Sequence, residues 1–422
     1  NPVVLRLPSL LAGLGSLALT FALARRYTGR RAALLAALLL AVSPVHVWYS
    51  QEAAPYAAAQ FLLLAAALQG HRLRAGTAGR HGWSLYTLLL IAAGWMHYYS
   101  ALFLLPLSLL ALGAEPRQRN RLWLSHAVAG LWCSLPLVLR VAAGTMITGM
   151  PYGRPFTLLE WWMLFFHWFL QGNCLWSVPP HELYDLGGWT YLLRQPLLLA
   201  CQAAGLVLLL RGLLLPSRWA QPAASGEVRP RPAWELGLYL VCSPLVLFVL
   251  TLAGLDQLYV ERFLYVLLPF FWIVVARGLT EGLSRRWSTV LIAAALLWSV
   301  AAYGALLARP REWTVYKHNP DWPAAVHYLL DDRAATERDL VLIAVPYADL
   351  LHYLRLARPV GAPRIRMVLP AEVPALLADY GGARLYLIDE WNWEGDLAGI
   401  QQAVAAAGWT RGSEASFNGM NL

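Results

Sequence analysis

Residues 5–49 read LRLPSLLAGLGSLALTFALARRYTGRRAALLAALLLAVSPVHVWY. The first apolar run ends at Ala24, four arginines (Arg25, Arg26, Arg30 and Arg31) crowd the turn, and a second apolar run covers 32–49. A helix rises about 1.5 Å per residue, so roughly 20 apolar residues cross a hydrocarbon layer of about 30 Å. Two such runs joined by a cationic turn read as a membrane hairpin.

The rest of the chain has the same character. Of its 422 residues 59% are apolar and 14% charged, and mean hydropathy is +0.49. Soluble domains carry roughly 25% charged residues. That balance excludes disordered, collagen-like and disulfide-scaffold chains and leaves a polytopic membrane protein. Ten spans are predicted, at 5–24, 32–49, 55–70, 83–98, 99–114, 122–142, 191–212, 234–254, 262–280 and 288–308. The stretch TLLEWWMLFFHWFLQG (157–172) is also apolar but holds Glu160, His167 and many aromatic rings. It reads as an interfacial or re-entrant helix.

Residues 1–310 hold 23 Lys and Arg against 10 Asp and Glu, and 311–422 hold 10 against 14. Within the first part, 17 of the cations fall on alternate loops: Arg25 to Arg31; Arg72, Arg74 and Arg80; Arg117, Arg119 and Arg121; Arg211 to Arg231; and Arg277, Arg285 and Arg286. The positive-inside rule places these loops in the cytoplasm of a multi-pass protein of the cell inner (plasma) membrane. The basic balance therefore needs no nucleic-acid partner. Beyond Arg309, DLVLIAVP (339–346), RIRMVLP (364–370) and RLYLIDE (384–390) are short buried-strand patterns between helical ones such as DWPAAVHYLLDD (321–332). The expected organisation is a membrane domain over 1–310 and a small α/β soluble domain over 311–422, extracytoplasmic by span parity.

Few ionisable residues lie on the opposite side. Glu52 sits in a turn bounded by Pro44 and Pro55. It is either an active-site acid, as metal ligand or orienting group, or a loop acid capping the next helix, because a carboxylate beside the membrane needs a cation, a metal or water. His97 opens HYY at another outer turn, where an aromatic belt is the alternative. His46 reads as packing. Arg262, after Asp256 and Glu261, starts a span: a fork-shaped donor suited to phosphate, or an interfacial arginine reaching headgroups. The loop 143–190 adds Arg154, Glu160, His167, His181, Glu182 and Asp185. P-loop, GxGxxG, HExxH and GxSxG motifs are missing, so nucleotide-driven transport and several hydrolase classes lose support. The glycines of LAGLGS (11–16) read as helix-packing positions.

These outer turns carry a resemblance. The stretch 6–57, with YSQEAAPY (49–56) as its most specific part, resembles bacterial glycosyltransferase family 39 proteins. These are membrane glycosyltransferases of the GT-C superfamily, related to protein O-mannosyltransferases and to lipid A aminoarabinose transferase. HYYSALFLLP (97–106), YVERFLYVLLP (259–269) and the 321–346 segment fit the same pattern, in order along nearly the whole chain. The resemblance implies a GT-C-like fold and transfer of a sugar from a polyprenyl-phosphate carrier to a lipid, glycan or protein acceptor hydroxyl on the outer face. It implies Glu52 as the second-loop acid and Arg262 as a carrier-phosphate contact, with His97, Tyr98, Arg154 and Tyr259 as further substrate-binding candidates. A divalent metal is one means of stabilising the leaving phosphate; the cofactor itself is unknown.

Two departures follow. Ala54 stands where the family commonly has arginine. The family's first span and first outer loop, which bears the acid usually assigned as base, precede RLPSLL, and only Asn1–Leu5 stand there. The expectation is a chain truncated at its N-terminus, with the principal base upstream of Asn1. Two rival readings are a multi-span transporter and a catalytically inactive relative that binds a glycan or partner.

Overall fold

The computed structural model describes residues 2–142, 157–172, 174–175, 183, 186–215, 231–252, 261–308, 322–343, 363–367, 370–378, 380, 384–390, 397–410, 412, 416–417 and 420–421. It divides into two compact units, residues 1–305 and 306–422.

The first unit is helical. Its elements are α1 (Pro2–Ala24), α2 (Arg30–Ala41), α3 (Pro44–Gln51), α4 (Tyr56–Arg74), α5 (Gly82–Met96), a 3₁₀ segment Tyr98–Phe103 leading into α6 (Leu104–Ala111), and α7 (Pro116–Ala142). Next come α8 (Leu158–Gln171), α9 (Gly188–Arg194), α10 (Pro196–Leu214), α11 (Trp234–Leu252), a 3₁₀ segment Glu261–Leu267 leading into α12 (Leu268–Thr280), and α13 (Arg285–Ala308). Each of the ten apolar runs holds a helix or a helix pair. Among the described residues, Val4–Ala24, Pro196–Leu214 and Arg285–Ala305 are each long and apolar enough to cross a membrane, and α2 with α3 makes a bent fourth.

That bend departs from the single span read over 32–49. The axes of α2 and α3 differ by 59°. Pro44 opens α3 and has no N–H to give to the preceding turn, and Ser43 before it is extended at φ −69°, ψ 121°. The break directs α3 toward the Glu52 turn.

Helix α12 is the centre of the unit, buried from Leu268 to Leu279. It packs against α2 and α10, while α4 packs against α1 and α5. Glycine permits the closest crossing: a Cβ on Gly212 of α10 would collide with the Val274 carbonyl, and one on Gly278 of α12 with the Leu208 carbonyl. The two helix ends also cap each other. Arg277 is 1% exposed and donates to the carbonyls of Gly212 (2.6 Å) and Leu215. Arg211 donates to the carbonyls of Glu281 (3.1 Å) and Gly278 (3.4 Å). Each arginine thus satisfies carbonyls that the other helix's last turn leaves unpaired. Gly13 and Gly15, in the LAGLGS run, lie against Ser50 and Phe61.

Helix α8 is more enclosed than an interfacial helix. Glu160, Trp161, Met163 to Phe169 and Gln171 are buried, and α8 packs on α3, α10 and the 261–267 segment.

The second unit contains α14 (Trp322–His327), continued by a wide turn over Tyr328–Asp332, then β1 (Leu340–Ile343), β2 (Arg364–Met367), α15 (Val373–Ala378), β3 (Leu385–Glu390), α16 (Leu397–Ala406), β4 (Ser416–Phe417) and β5 (Met420–Asn421). The sheet order is β2-β1-β3-β5-β4. Strands β1, β2 and β3 pair in parallel, and β5 is antiparallel to both β3 and β4. Leu340, Leu342, Val373, Leu377 and Ile400 form its core. The buried Asp339 accepts from Arg384 (Nη2–Oδ2 2.9 Å) and from the Thr336 N–H (2.7 Å), and Arg384 also reaches the Ala334 carbonyl at 2.9 Å. The unit thereby closes the chain on itself beneath β1 and β3.

Candidate functional site

Glu52 ends α3. Its φ of −80° and ψ of 134° turn the chain out of the helix, and its N–H still donates to the Trp48 carbonyl at 3.1 Å. Pro55 follows and α4 begins at Tyr56. The side chain is half-buried, with Oε2 shut off from solvent. Ser9 of α1 donates to the Ala54 carbonyl at 3.2 Å, which ties the turn to a neighbouring helix.

Aromatic rings surround this turn. The Tyr49 ring lies 5.0 Å from Tyr56, 4.8 Å from Tyr265 and 6.0 Å from Trp168 of α8. Tyr56 lies 5.1 Å from His97, and His97 stacks on Tyr98 at 5.4 Å with ring planes 6° apart. Tyr99 closes the group, 4.6 Å from Tyr98. His97 is where α5 stops: its φ of −153° is extended and the 3₁₀ segment starts at Tyr98.

The segment carrying Arg262 reaches the same place. Its Tyr265 hydroxyl is 2.8 Å from His46 Nδ1, and its carbonyl accepts from Gln60 Nε2 at 2.9 Å. His46 is buried, at 3% exposure. The backbone of Arg262 belongs to this 3₁₀ segment, but its side chain is outside the described residues, as are Arg154 and Tyr259. The structure therefore brings Glu52, His97 and Tyr98 to one end of the unit. To them it adds Tyr49, Tyr56, Trp168 and Tyr265. Tyr49 and Tyr56 were visible as the outer letters of YSQEAAPY, whereas Trp168 and Tyr265 gave no signal of their own.

Two loop candidates have structural roles. Glu160 is the third residue of α8, in a capping box with Thr157, and it also accepts from the Gly188 N–H at 3.1 Å. His167 is buried, and Gln171 Nε2 lies 2.8 Å from its Nε2. His181, Glu182 and Asp185 are outside the described residues. Among the described residues no three His, Cys, Asp or Glu side chains converge as a metal-ligand group.

The opposite end of the same helices is arginine-rich, and several of its polar groups pair across the turns. Arg74 pairs with Glu235 at 2.7 Å, Thr28 donates to Glu281 at 3.2 Å, and the Arg231 N–H donates to the Arg26 carbonyl at 2.7 Å. The turns around Arg26, Arg74, Arg231 and Glu281 thus meet one another at one end of the unit.

Residues 1–143 match the family model described as dolichyl-phosphate-mannose-protein mannosyltransferase. The match contains Glu52, His97 and Tyr98 and ends before Arg154. Over these residues, about a third of the chain, the protein is similar to that family, and its long apolar helices are compatible with a membrane protein. Searches of curated proteins and of solved structures give no match.

Proposed function

We propose that the chain takes a sugar from a polyprenyl-phosphate carrier and transfers it to an acceptor hydroxyl on the extracytoplasmic face of the inner membrane. The observation that carries this reading is the Glu52 turn. A half-buried carboxylate stands among aromatic rings, at the end of the helices away from the arginine-rich loops, within the stretch matched by a mannosyltransferase family.

The chemistry makes three demands. The bond from the anomeric carbon to the phosphate oxygen breaks while the acceptor oxygen attacks, the acceptor hydroxyl gives up its proton, and the leaving phosphate accumulates negative charge. Glu52 serves the second by accepting a hydrogen bond from the acceptor hydroxyl and orienting it, while a separate general base takes the proton. A carboxylate in a partly dry site orients more strongly than one in water. Arg262, with Arg154, meets the third by donating paired hydrogen bonds to the phosphate. Tyr259, His97 and Tyr98 border the carrier's head and the sugar, where ring faces pack on C–H surfaces and exclude water. Residues 311–422 lie outside the cytoplasm by span parity.

The test is release of free polyprenyl phosphate by membranes containing the protein, supplied with a panel of polyprenyl-phosphate sugars. Release from one donor that Glu52→Gln lowers at least 100-fold supports the reading, a loss within the range of positioned acid–base groups. Unchanged release after Glu52→Gln in folded protein removes Glu52 from the site, and no release from any donor removes the transferase reading.

A further inference from the structure

Tyr265 touches both arms of the turn that carries Glu52. Helix α3 runs into this turn and α4 runs out of it. On the incoming arm the Tyr265 hydroxyl is 2.8 Å from His46 Nδ1. Its ring lies 4.8 Å from that of Tyr49, one helical turn further along α3. On the outgoing arm Gln60 Nε2 donates to the Tyr265 carbonyl at 2.9 Å. His46 stands about 9 Å before Glu52 along α3, and Gln60 about one turn into α4. Tyr265, His46 and Gln60 are all buried.

Polar groups shut inside a helical bundle cost free energy unless each meets a partner. Here the partners belong to three separate elements, so satisfying them fixes how those elements meet. Helix α1 holds the same turn at other points. A Cβ on Gly13 would collide with Ser50 Oγ, and Ser9 donates to the Ala54 carbonyl at 3.2 Å. The tip of the turn is therefore held by α1 and its base by Tyr265. Arg262 precedes Tyr265 by one turn of the same 3₁₀ segment. The contacts that fix the base of the turn thus also fix the backbone from which Arg262 starts.

We propose that Tyr265 is the positioning residue of Glu52. Its hydroxyl holds α3, and its carbonyl, through Gln60, holds α4, so that the carboxylate keeps one aim. The bearing on catalysis rests on the transfer reaction proposed above: Tyr265 touches no reacting atom and acts only through the turn. Loosening either arm lets Glu52 swing. Its half-buried carboxyl then opens to solvent, and the acceptor hydroxyl loses its orientation.

The test uses the whole chain in detergent and has two readouts. One is the rate at which a carbodiimide with glycine ethyl ester labels the Glu52 carboxyl, read by mass spectrometry against the exposed Glu115 of the same molecules. The other is kcat and KM for the polyprenyl-phosphate sugar. Tyr265→Phe keeps the ring and the carbonyl bond but frees α3. Gln60→Met keeps the side chain's length but frees α4. Each is expected to raise Glu52 labelling at least about fivefold, because one buried hydrogen bond less makes local opening easier. Each is also expected to lower kcat about 10-fold, with donor KM held within about twofold. Gln69→Met is the control. It removes a bond of the same kind, Gln69 Nε2 to the Gly82 carbonyl at 3.2 Å, about 14 Å further along α4. It is expected to lower thermal stability as much and to leave both readouts unchanged. Unchanged labelling in Tyr265→Phe or in Gln60→Met, or an equal rise in Gln69→Met, overturns the proposal. Raised labelling beside an unchanged kcat upholds the hold on the turn and removes Glu52 from the reaction, so the two failures stay apart. Should one variant fail to fold, the other decides alone.

Discussion

Arg74 and Glu235 stand 161 residues apart and meet as a two-pronged ion pair, Nη2 to Oε2 at 2.7 Å and Nη1 to Oε1 at 3.2 Å. A ring of hydrogen bonds closes around them. Arg74 has only donors, so the His71 Nδ1 at 2.8 Å accepts from it, which leaves the His71 Nε2–H facing the Tyr27 oxygen at 2.6 Å. The Tyr27 hydroxyl then donates to Glu235 Oε2 at 3.2 Å. Helices α4 and α11 and the turn after α1 are joined through this one circuit, and Arg74 also donates to the Leu110 carbonyl that ends α6.

Breaking one side of the circuit strands the other. Glu235→Ala is expected to destabilise the first unit by about 3–5 kcal/mol, the range for a buried charge left without its partner. Arg74→Met/Glu235→Leu is expected to recover most of that loss, since an apolar pair needs no compensation. Tyr27→Phe, which removes two bonds of the ring, costs about 1–3 kcal/mol. Thermal unfolding of the four proteins in one detergent checks the order. A double variant no more stable than Glu235→Ala would show that the cost lies in packing.

The crossing of α10 and α12 predicts a contrast among glycines. Gly212→Ala and Gly278→Ala each place a methyl against a backbone carbonyl that cannot move without parting two helices. Each is expected to cost at least about 1–3 kcal/mol, as overpacking does. Gly304→Ala in α13 meets nothing within 4 Å and is expected to be neutral or to gain up to about 1 kcal/mol of helix propensity. The fraction of monodisperse protein surviving a heating series measures all three.

In the second unit Ala334 holds φ at 49°, the left-handed region that favours glycine. Its carbonyl is gripped by Arg384, so the strain persists. Ala334→Gly is expected to stabilise the unit by about 1 kcal/mol. Arg384→Ala, which leaves the buried Asp339 without its guanidinium partner, is expected to destabilise it by more than that. Amide exchange of Leu340–Ile343 in the whole protein reads both.

What the sequence disclosed follows from what each residue reports locally. Apolar runs report burial or lipid contact, so helices stand where runs were read, and Pro44 carried the break that a run over 32–49 concealed. Glu160 was read only as one of the outer-loop ionisable residues, although the Thr157–Glu160 spacing before an apolar run is itself the capping signal. Pairings over long separations leave no such trace. Nothing in a window of sequence places Tyr265 against Tyr49, or tells that Arg277, one cation of a loop cluster, ends inside the unit on another helix's carbonyls. The two-residue strands β4 and β5 are too short for alternation to register.

Tyr56 links the Glu52 turn to His97, and it does so with its ring. Its centroid is 5.0 Å from Tyr49 on one side and 5.1 Å from His97 on the other. Each aromatic contact is worth about 0.5–1.5 kcal/mol beyond area burial. If Glu52 works by position, then Tyr56→Phe, which keeps both contacts, is expected to hold turnover of the polyprenyl-phosphate sugar within about threefold. Tyr56→Ala loses both contacts and is expected to lower turnover about 10- to 100-fold, mainly through kcat, since the carboxylate loses its aim while the carrier's lipid contacts persist. Initial rates at varied donor concentration separate the cases. A loss confined to KM would place Tyr56 on the carrier, and a loss as large in Tyr56→Phe would assign the work to its hydroxyl.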